Sequence, residues 1–219
     1  MRLLASLILT LAASCTAFAA SADPAGFDAD LTAIQQAWDR ANYETPAGDA
    51  RETAFAALAD RAAKFTAANP KRAEALIWEG IVLSSYAGAK GGLGALKLAK
   101  QARGKLEAAL AIAPDALHGS AYTSLGTLYY KVPGFPLGFG DSDEARSNLQ
   151  KALQLNPDGI DPNYFYAEFL YDEDDHAGAL QYLEKALKAP PRPGRASADE
   201  GRHQDIQKLM TKVRKELTS

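Results

Sequence analysis

Three segments of the sequence share one spacing of small, apolar and proline residues. In each, an alanine is followed by a leucine four positions later, an alanine seven positions later and a proline twelve positions later. The three sets are Ala102, Leu106, Ala109 and Pro114; Ala145, Leu149, Ala152 and Pro157; and Ala179, Leu183, Ala186 and Pro191. Positions i, i+4 and i+7 share one face of an α-helix, and a proline ends the helix. The spacing therefore predicts three equivalent helices, each with a narrow packing face.

An apolar helix precedes each of these segments, with a small residue three positions before a larger one. The pairs are Gly80 and Leu83, Gly126 and Tyr129, and Ala167 and Leu170. A small residue lets two helices approach closely, and a larger one fills the space between them. The distance from Pro157 to Pro191 is 34 residues, which is the repeat length of tetratricopeptide (TPR) helical hairpins. The pattern predicts an all-α solenoid of TPR-type hairpins.

The predicted helices extend beyond the three repeats at both ends. We expect one domain, residues 20–219, with a degenerate helix pair at 27–70, repeats at about 72–114, 118–157 and 160–191, and a capping helix at 198–217. The first helix of the degenerate pair has an apolar stripe of Leu31, Ile34, Trp38 and Ala41. The capping helix has Ile206, Leu209, Val213 and Leu217 on one face. Solenoids need a terminal cap with one polar side, which this amphipathic segment supplies.

Residues 1–19 have the features of a secretory signal peptide. One arginine precedes an apolar run over residues 3–13, and Ala17 and Ala19 match the small-x-small cleavage pattern. We therefore expect export to the periplasm or beyond and cleavage after Ala19, which would remove Cys15, the single cysteine. The alternative is lipoprotein processing, in which Cys15 is acylated and anchors the protein to a membrane.

Two of the three repeats carry extra residues between their helices. The interval from the apolar position of the first helix to the small residue of the second is nine residues in the third repeat, sixteen in the second and nineteen in the first. This excess predicts elongated turns at "YAGAKGGLGALKLAK" and at "KVPGFPLGFGD". Because both fall at the same turn of successive repeats, we expect them side by side at one edge of the solenoid. Insertions on one face often mark a binding surface.

The second insertion, Lys131 to Asp141, is apolar and stiffened by prolines. Its apolar side chains must either pack back onto the repeats or serve as a docking surface. We assign a partner-binding loop to Pro133, Phe135, Pro136, Leu137, Phe139 and Asp141. Under the docking interpretation, replacing Phe135 and Phe139 with alanine is expected to weaken partner capture and leave the melting temperature nearly unchanged.

Several stretches of the sequence resemble a known family. They are "LGTLYYKVPGFPLGFGD", "LQKALQLNPDGIDPNYFYAEFL", "ALKAPPRP" and "ADEGR", and the similarity spans roughly residues 74–217. They are similar to the TatT family, exported TPR proteins named for their association with tripartite ATP-independent periplasmic (TRAP) transporters. The resemblance implies a periplasmic protein that contacts the solute-binding protein of such a transporter. Members are often lipoproteins, but Ala12 stands where the lipobox before Cys15 most often has leucine.

In TPR solenoids the first helix of each hairpin lines the concave groove. Counted from the small positions, the groove-facing residues are Ile77, Ile81 and Ser84; Thr123, Thr127 and Tyr130; and Tyr164, Glu168 and Tyr171. These residues predict an apolar to aromatic surface with few charges. Such a groove suits a small apolar ligand, or a helix or extended peptide of a partner. In the alternative arrangement, the C-terminal helix fills the groove as a plug.

No pattern in the sequence indicates catalysis, a metal or a cofactor. "KGGLG" lacks the spacing of a P-loop, and the histidines form no HExxH motif. The acidic run "YDEDDHAG" has the composition of a metal site, but its place at a tight turn favours helix capping. A net charge of -3 argues against a nucleic-acid binder, which usually has a basic face. We therefore expect no enzymatic activity and no cofactor.

Two functions fit these features. The first is a periplasmic scaffold that docks a protein partner through the insertion edge and groove, with a TRAP solute-binding protein as the candidate. The alternative is a carrier that holds a small apolar ligand in the groove. Both functions are compatible with a single chain or with a homo-oligomer.

Overall fold

The computed structural model describes residues 24–218 of the chain. In that part the protein is built of α-helices joined by turns, as the repeat spacing predicts. The helices are α1 (Pro24–Asp39), α2 (Asp49–Ala68), α3 (Ala73–Lys90), α4 (Gly92–Ile112), α5 (Ala116–Lys131), α6 (Ser142–Leu155), α7 (Ile160–Asp172), α8 (His176–Leu187) and α9 (Ala196–Leu217). A π-helical segment, Arg40–Glu44, continues α1. The predicted signal peptide at 1–19, with Cys15, lies outside the described residues.

Each repeat forms a helical hairpin: α3 packs with α4, α5 with α6, and α7 with α8. The small residues of the repeat pattern lie where the two helices of a hairpin come closest. A Cβ atom added to Gly80 would lie 2.7 Å from the Cγ of Leu106, and one added to Gly126 would lie 2.5 Å from the Cγ of Leu149. Both leucines are fully buried. The repeated spacing in the sequence is therefore explained by the packing inside each hairpin.

The N-terminal helix pair packs onto the first repeat through aromatic rings. The four stripe residues of the first helix are buried, and the stripe extends to Phe27. The Phe27 ring stacks on Phe65 of α2 with centroids 5.0 Å apart. Trp38 meets Trp78 of α3 edge to face at 6.3 Å. The helix begins three residues before the predicted start at residue 27, and the π-helical segment continues it to Glu44.

The extra residues of the first repeat lengthen its helices instead of forming a long turn. α3 continues to Lys90 and α4 begins at Gly92, so Gly91 alone separates them. The backbone of Gly91 has φ of 64°, a left-handed conformation that glycine adopts without a steric penalty. Ala95 and Leu98 are partly buried against the core, and this packing stabilises the helical conformation of the extra residues. The structure corrects the expectation of an elongated turn for this repeat, whereas the second repeat does contain one.

The C-terminal segment connects the last repeat back to the first helices. Helix α9 packs against α7 and α8 and buries Ile206, Leu209 and Val213, and it also contacts the π-helical segment. The loop before α9 places Arg195 against Asp39, and the two side chains form a two-pronged ion pair at 2.6 and 3.0 Å. These residues are 156 positions apart in the chain. The capped solenoid is therefore closed, with its first and last helical parts in contact.

Candidate functional site

The insertion loop, residues 132–141, joins α5 to α6 and presents two apolar side chains to solvent. Phe135 is 94% exposed and Leu137 is 73% exposed. Pro133 and Pro136 are exposed beside them. Single exposed apolar residues are common on protein surfaces, but two large ones on a short loop form an apolar tip.

Backbone contacts hold this loop in a defined shape. The Gly138 N–H donates to the Gly134 carbonyl at 3.1 Å, and the Gly140 N–H donates to the Pro133 carbonyl at 2.9 Å. A Cβ atom at Gly140 would overlap the carbonyl oxygen of Val132. The two arms of the loop can approach this closely only because glycine has no side chain.

Phe139 anchors the loop to the solenoid instead of reaching solvent. Its ring meets Tyr129 edge to face at 5.7 Å, and the Arg103 guanidinium lies 4.5 Å from its centroid. Arg103 belongs to α4, directly after the extra residues of the first repeat, so the second insertion touches the neighbouring hairpin. Asp141 also has a structural role, because its carboxylate accepts two backbone N–H groups and caps α6. Among the six assigned loop residues, Phe139 and Asp141 thus support the four others, which are exposed and apolar.

A chamber of about 760 Å³ lies on the concave side of the solenoid. Its floor is formed by α3, α5 and α7, and its walls by α1, the π-helical segment, the turn between α6 and α7, the loop before α9 and α9 itself. The wall residues beyond those predicted include Gln35, Trp38, Trp78, Ser85, Leu117, His118, Ser120, Phe165, Arg192, Arg195, Arg202 and Asp205. Helix α9 therefore forms part of the wall and does not fill the groove as a plug. The volume is typical of pockets for small molecules.

The structure places most of the predicted groove residues at this chamber. Those that line it are Ile81, Ser84, Thr123, Thr127, Tyr164 and Glu168. Ile77 instead is fully buried in the core. Tyr130 donates its hydroxyl hydrogen to Glu168, and Tyr171 packs against the His176 ring with centroids 5.3 Å apart. These two tyrosines are not part of the chamber lining.

Three arginines from the C-terminal segment give the chamber a charged wall. Besides the Arg195–Asp39 pair, Arg202 donates to Asp161 at 2.9 Å, and Arg192 bonds the same carboxylate. The expectation of a groove with few charges is therefore wrong, because the closing segment adds three arginines and Asp205 to the two acids of α7, Asp161 and Glu168. The stretch "PPRPGRASADEGR" contains these arginines, and its mixture of arginine and acid was the only sequence signal for them.

The charges on this wall shift the pKa values of its acids in opposite directions. Burial alone would raise the pKa of Asp161, but the charges of Arg202 and Arg192 outweigh it and lower the pKa to about 2. Burial raises the pKa of Asp205, and the negative charge of Glu168 adds to the increase while Arg202 opposes it. Asp161 is thus firmly ionised, whereas Asp205 and Glu168 repel each other.

Two features of the chamber wall lower the stability of the folded protein. Leu117 and His118 have left-handed backbone with φ of 50° and 54°, which costs about 1–2 kcal/mol for each non-glycine residue. The Trp78 indole N–H is buried and has no acceptor within residues 24–218, which costs about 1–3 kcal/mol. The neighbouring Trp38 N–H, by contrast, donates to Ser85 at 2.8 Å. Such costs tend to concentrate at functional sites.

The acidic run at the turn of the third repeat acts as a helix cap. The Asp175 carboxylate accepts the Gly178 N–H at 2.9 Å at the start of α8, which confirms the capping interpretation. Across residues 24–218, no group of three or more histidine, cysteine or acidic side chains is placed to hold a metal ion. Within the same range, no helix has the length and apolar character needed to cross a bilayer.

Comparison with known proteins agrees with the observed architecture. The tetratricopeptide repeat family matches residues 137–199. TTC0263, a thermophilic TPR protein of Thermus thermophilus, superimposes with a TM-score of 0.56 at 16% identity, covering 85% of this chain and 98% of that one. The chain has the TPR solenoid fold. At this identity the likeness establishes the fold alone.

More distant structural similarities add no functional argument. MamA is 18% identical, with 76% of this chain and 90% of that chain covered and a TM-score of 0.44. The pilF protein of Pseudomonas aeruginosa is 14% identical, with 86% and 90% covered and a TM-score of 0.35. No functionally curated protein matches the sequence.

Proposed function

We propose that the protein is an exported scaffold that binds a protein partner through the insertion loop. TPR solenoids suggest protein–protein interaction in general. The observation that carries the proposal is the apolar tip: Phe135 and Leu137 are exposed on a loop whose backbone is already fixed.

The energetics of such a tip favour binding. Complete burial of a phenylalanine or leucine side chain contributes about 1.5–3 kcal/mol. A loop that is ordered before binding loses little conformational entropy when the partner arrives. Two side chains of this kind can therefore act as the central contacts of an interface, where a few residues usually supply most of the affinity.

The proposed partner is the solute-binding protein of a TRAP-type transporter, in the periplasm. This finer assignment rests on the resemblance to the TatT family and on the signal peptide predicted at residues 1–19. Export would be followed by cleavage after Ala19, or by acylation of Cys15 if the protein is a lipoprotein. The proposal includes no catalytic role.

The test is binding to a purified TRAP solute-binding protein from the same genome, measured by calorimetry. Phe135→Ser with Leu137→Ser should weaken binding at least tenfold, because both apolar contacts are lost. Ile112→Ser is the matched control, since Ile112 is 45% exposed near the far end of α4 and lies outside the loop. Phe139 is left unchanged because it anchors the loop.

Equal affinity of the double variant and the control would refute the docking role of the tip. A photo-crosslinking residue at position 135 tests the partner's identity independently. It should capture the solute-binding protein in intact cells, and the same residue at position 112 should not. Capture of a different periplasmic protein, at position 135 and not at position 112, would support the scaffold function. It would contradict the proposal that the partner is a TRAP solute-binding protein.

The alternative function, carriage of a small apolar ligand, receives mixed support. The chamber has a suitable volume, but arginines and acids line much of its wall. A purely apolar molecule would desolvate these charged groups without pairing with them, which is unfavourable.

A further inference from the structure

The charged side chains of the chamber wall are already paired with opposite charges. The pairs are Arg195 with Asp39, Arg192 and Arg202 with Asp161, Arg202 and Lys208 with Asp205, and Lys131 with Glu168. Of the acids and arginines that line the chamber, Asp158 alone forms no ion pair within residues 24–218, and it is exposed in the turn before α7. An ion that entered the chamber would lose hydration and find the opposite charges already engaged, which is unfavourable.

The hydrogen-bonding groups that the wall leaves free are uncharged. Thr123 and Ser124 of α5 and Tyr164 of α7 line the chamber, and their hydroxyls make no hydrogen bond within residues 24–218. The carboxamides of Gln35, on α1, and Asn42, in the π-helical segment, line it as well and have no partner in that range. Hydroxyl and carboxamide groups can both donate and accept. The wall can therefore bind an uncharged polar group without the loss of an ion pair.

Aromatic and proline rings give the chamber an apolar surface. Trp38 of α1, Trp78 of α3 and Phe165 of α7 line it. The loop before α9 adds three prolines, Pro190, Pro191 and Pro193. Burial of apolar ligand surface against these rings would drive binding, and the free polar groups would orient the ligand. A purely apolar molecule would leave the wall hydroxyls without hydrogen bonds, so the combination favours an amphipathic one.

We propose that the chamber binds a small uncharged amphipathic molecule whose polar group both donates and accepts hydrogen bonds, as a carboxamide does. The apolar body lies against the aromatic and proline rings, and the polar group bonds to the free hydroxyls of α5 and α7. The left-handed backbone at Leu117 and His118 and the unpaired indole N–H of Trp78 lower the stability of this wall, as is common where a protein binds a ligand. This binding does not depend on the insertion loop.

Three probes that share one apolar body test the preference for an uncharged group. They are 4-phenylbutanamide, 4-phenylbutylamine and 4-phenylbutanoate, titrated into the purified protein at neutral pH by calorimetry. The chain has two tryptophans, Trp38 and Trp78, and both line the chamber, so binding there should also change the tryptophan fluorescence. The amide should bind at least about fivefold more tightly than either ion. A smaller preference, tighter binding of an ion, or no binding of the amide at millimolar concentration would each overturn the proposal.

Matched variants test the position of the ligand. Thr123→Val removes a free hydroxyl with little change in volume and should weaken binding of the amide several-fold, and Ser124→Ala repeats the test at a less buried position. Thr211 lies on α9 outside the chamber lining, so Thr211→Val should leave the affinity unchanged. Equal affinities of all three variants would contradict the site. The loop variant Phe135→Ser with Leu137→Ser should bind the amide normally, so this inference and the docking proposal can fail independently.

Discussion

The insertion loop and the chamber wall are two surfaces held in place by different forces. From Val132 to Gly140 the loop has no charged side chain, and neighbouring backbone groups fix its shape. The chamber wall depends on ion pairs such as Arg195–Asp39, which join distant parts of the chain. The loop should therefore respond to changes in local backbone packing, whereas the chamber should respond to charge.

The largest effect should come from Asp161→Asn in the chamber wall. The change removes a partner of Arg202, a side chain that is almost fully buried, and of Arg192. Arg202 keeps its pair with Asp205 and Arg192 keeps its pair with Asp199, so the loss of this shared carboxylate should lower the free energy of unfolding by about 2–3 kcal/mol, measured by urea denaturation. Asp172→Asn is the control, because its pair with Lys131 is 43% exposed and should contribute less than about 1 kcal/mol. Similar losses in both variants would show that the chamber ion pairs do not stabilise the closure.

The second-largest loss of stability should come from Gly140→Ala in the insertion loop. The added methyl group would overlap a backbone carbonyl, which cannot rotate away as a side chain can. We expect a loss of about 2 kcal/mol in the free energy of unfolding, measured in the same way.

Gly88→Ala provides the matched comparison for the loop. Gly88 lies in the lengthened part of α3, and a Cβ atom there would have no neighbour within 4 Å. Alanine is a better helix former, so this variant should gain about 1 kcal/mol. If Gly140→Ala were tolerated as well as Gly88→Ala, the loop would not be fixed by close backbone contact.

The smallest effect should be an acid-dependent loss of stability in the chamber wall. The folded protein lowers the pKa of Asp161 to about 2, below the value of about 3.9 for an unfolded chain. The stabilisation is therefore complete above about pH 4 and is lost as the pH falls towards 2. We expect about 1 kcal/mol, because the side chain is 31% exposed and solvent screens its charge.

Urea titrations at several pH values can isolate this contribution. Asp161→Asn should lose less stability than the unmodified protein between pH 4 and 2, because it lacks the titrating carboxylate. Gly140→Ala should keep the pH dependence of the unmodified protein, since the change adds and removes no titrating group. Parallel curves for the unmodified protein and Asp161→Asn would rule out Asp161 as the source.

The hairpins could be predicted because their decisive contacts recur at fixed short spacings. Gly80 faces Leu106 and Gly126 faces Leu149 in the same way, so the pattern is visible in the sequence itself. The insertion in the second repeat could also be predicted from the sequence. Which of its phenylalanines is exposed could not, because Phe135 and Phe139 differ only in the solvent exposure that the folded structure gives them. Both are phenylalanines in one glycine-rich stretch, and the distinction depends on contacts with neighbouring helices.

Two features could not be predicted from local patterns. The run around Gly91 has the composition of a loop, yet helix packing converts it into two helix ends with one residue between them. The charged wall of the chamber needs Arg195 to meet Asp39 across most of the chain, and a single long-range pair leaves no periodic signal. For this reason most of the residues predicted to face the groove line the chamber, whereas the charges of its wall could not be predicted.

The contact between the first and last helical segments has a consequence for how such a protein can evolve. Open solenoids gain or lose repeats readily, because each repeat touches only its neighbours. Here an added or deleted hairpin would displace Asp39 from Arg195 and separate the two ends. We therefore expect the number of hairpins to be constrained in this protein, with variation confined to the segments between helices.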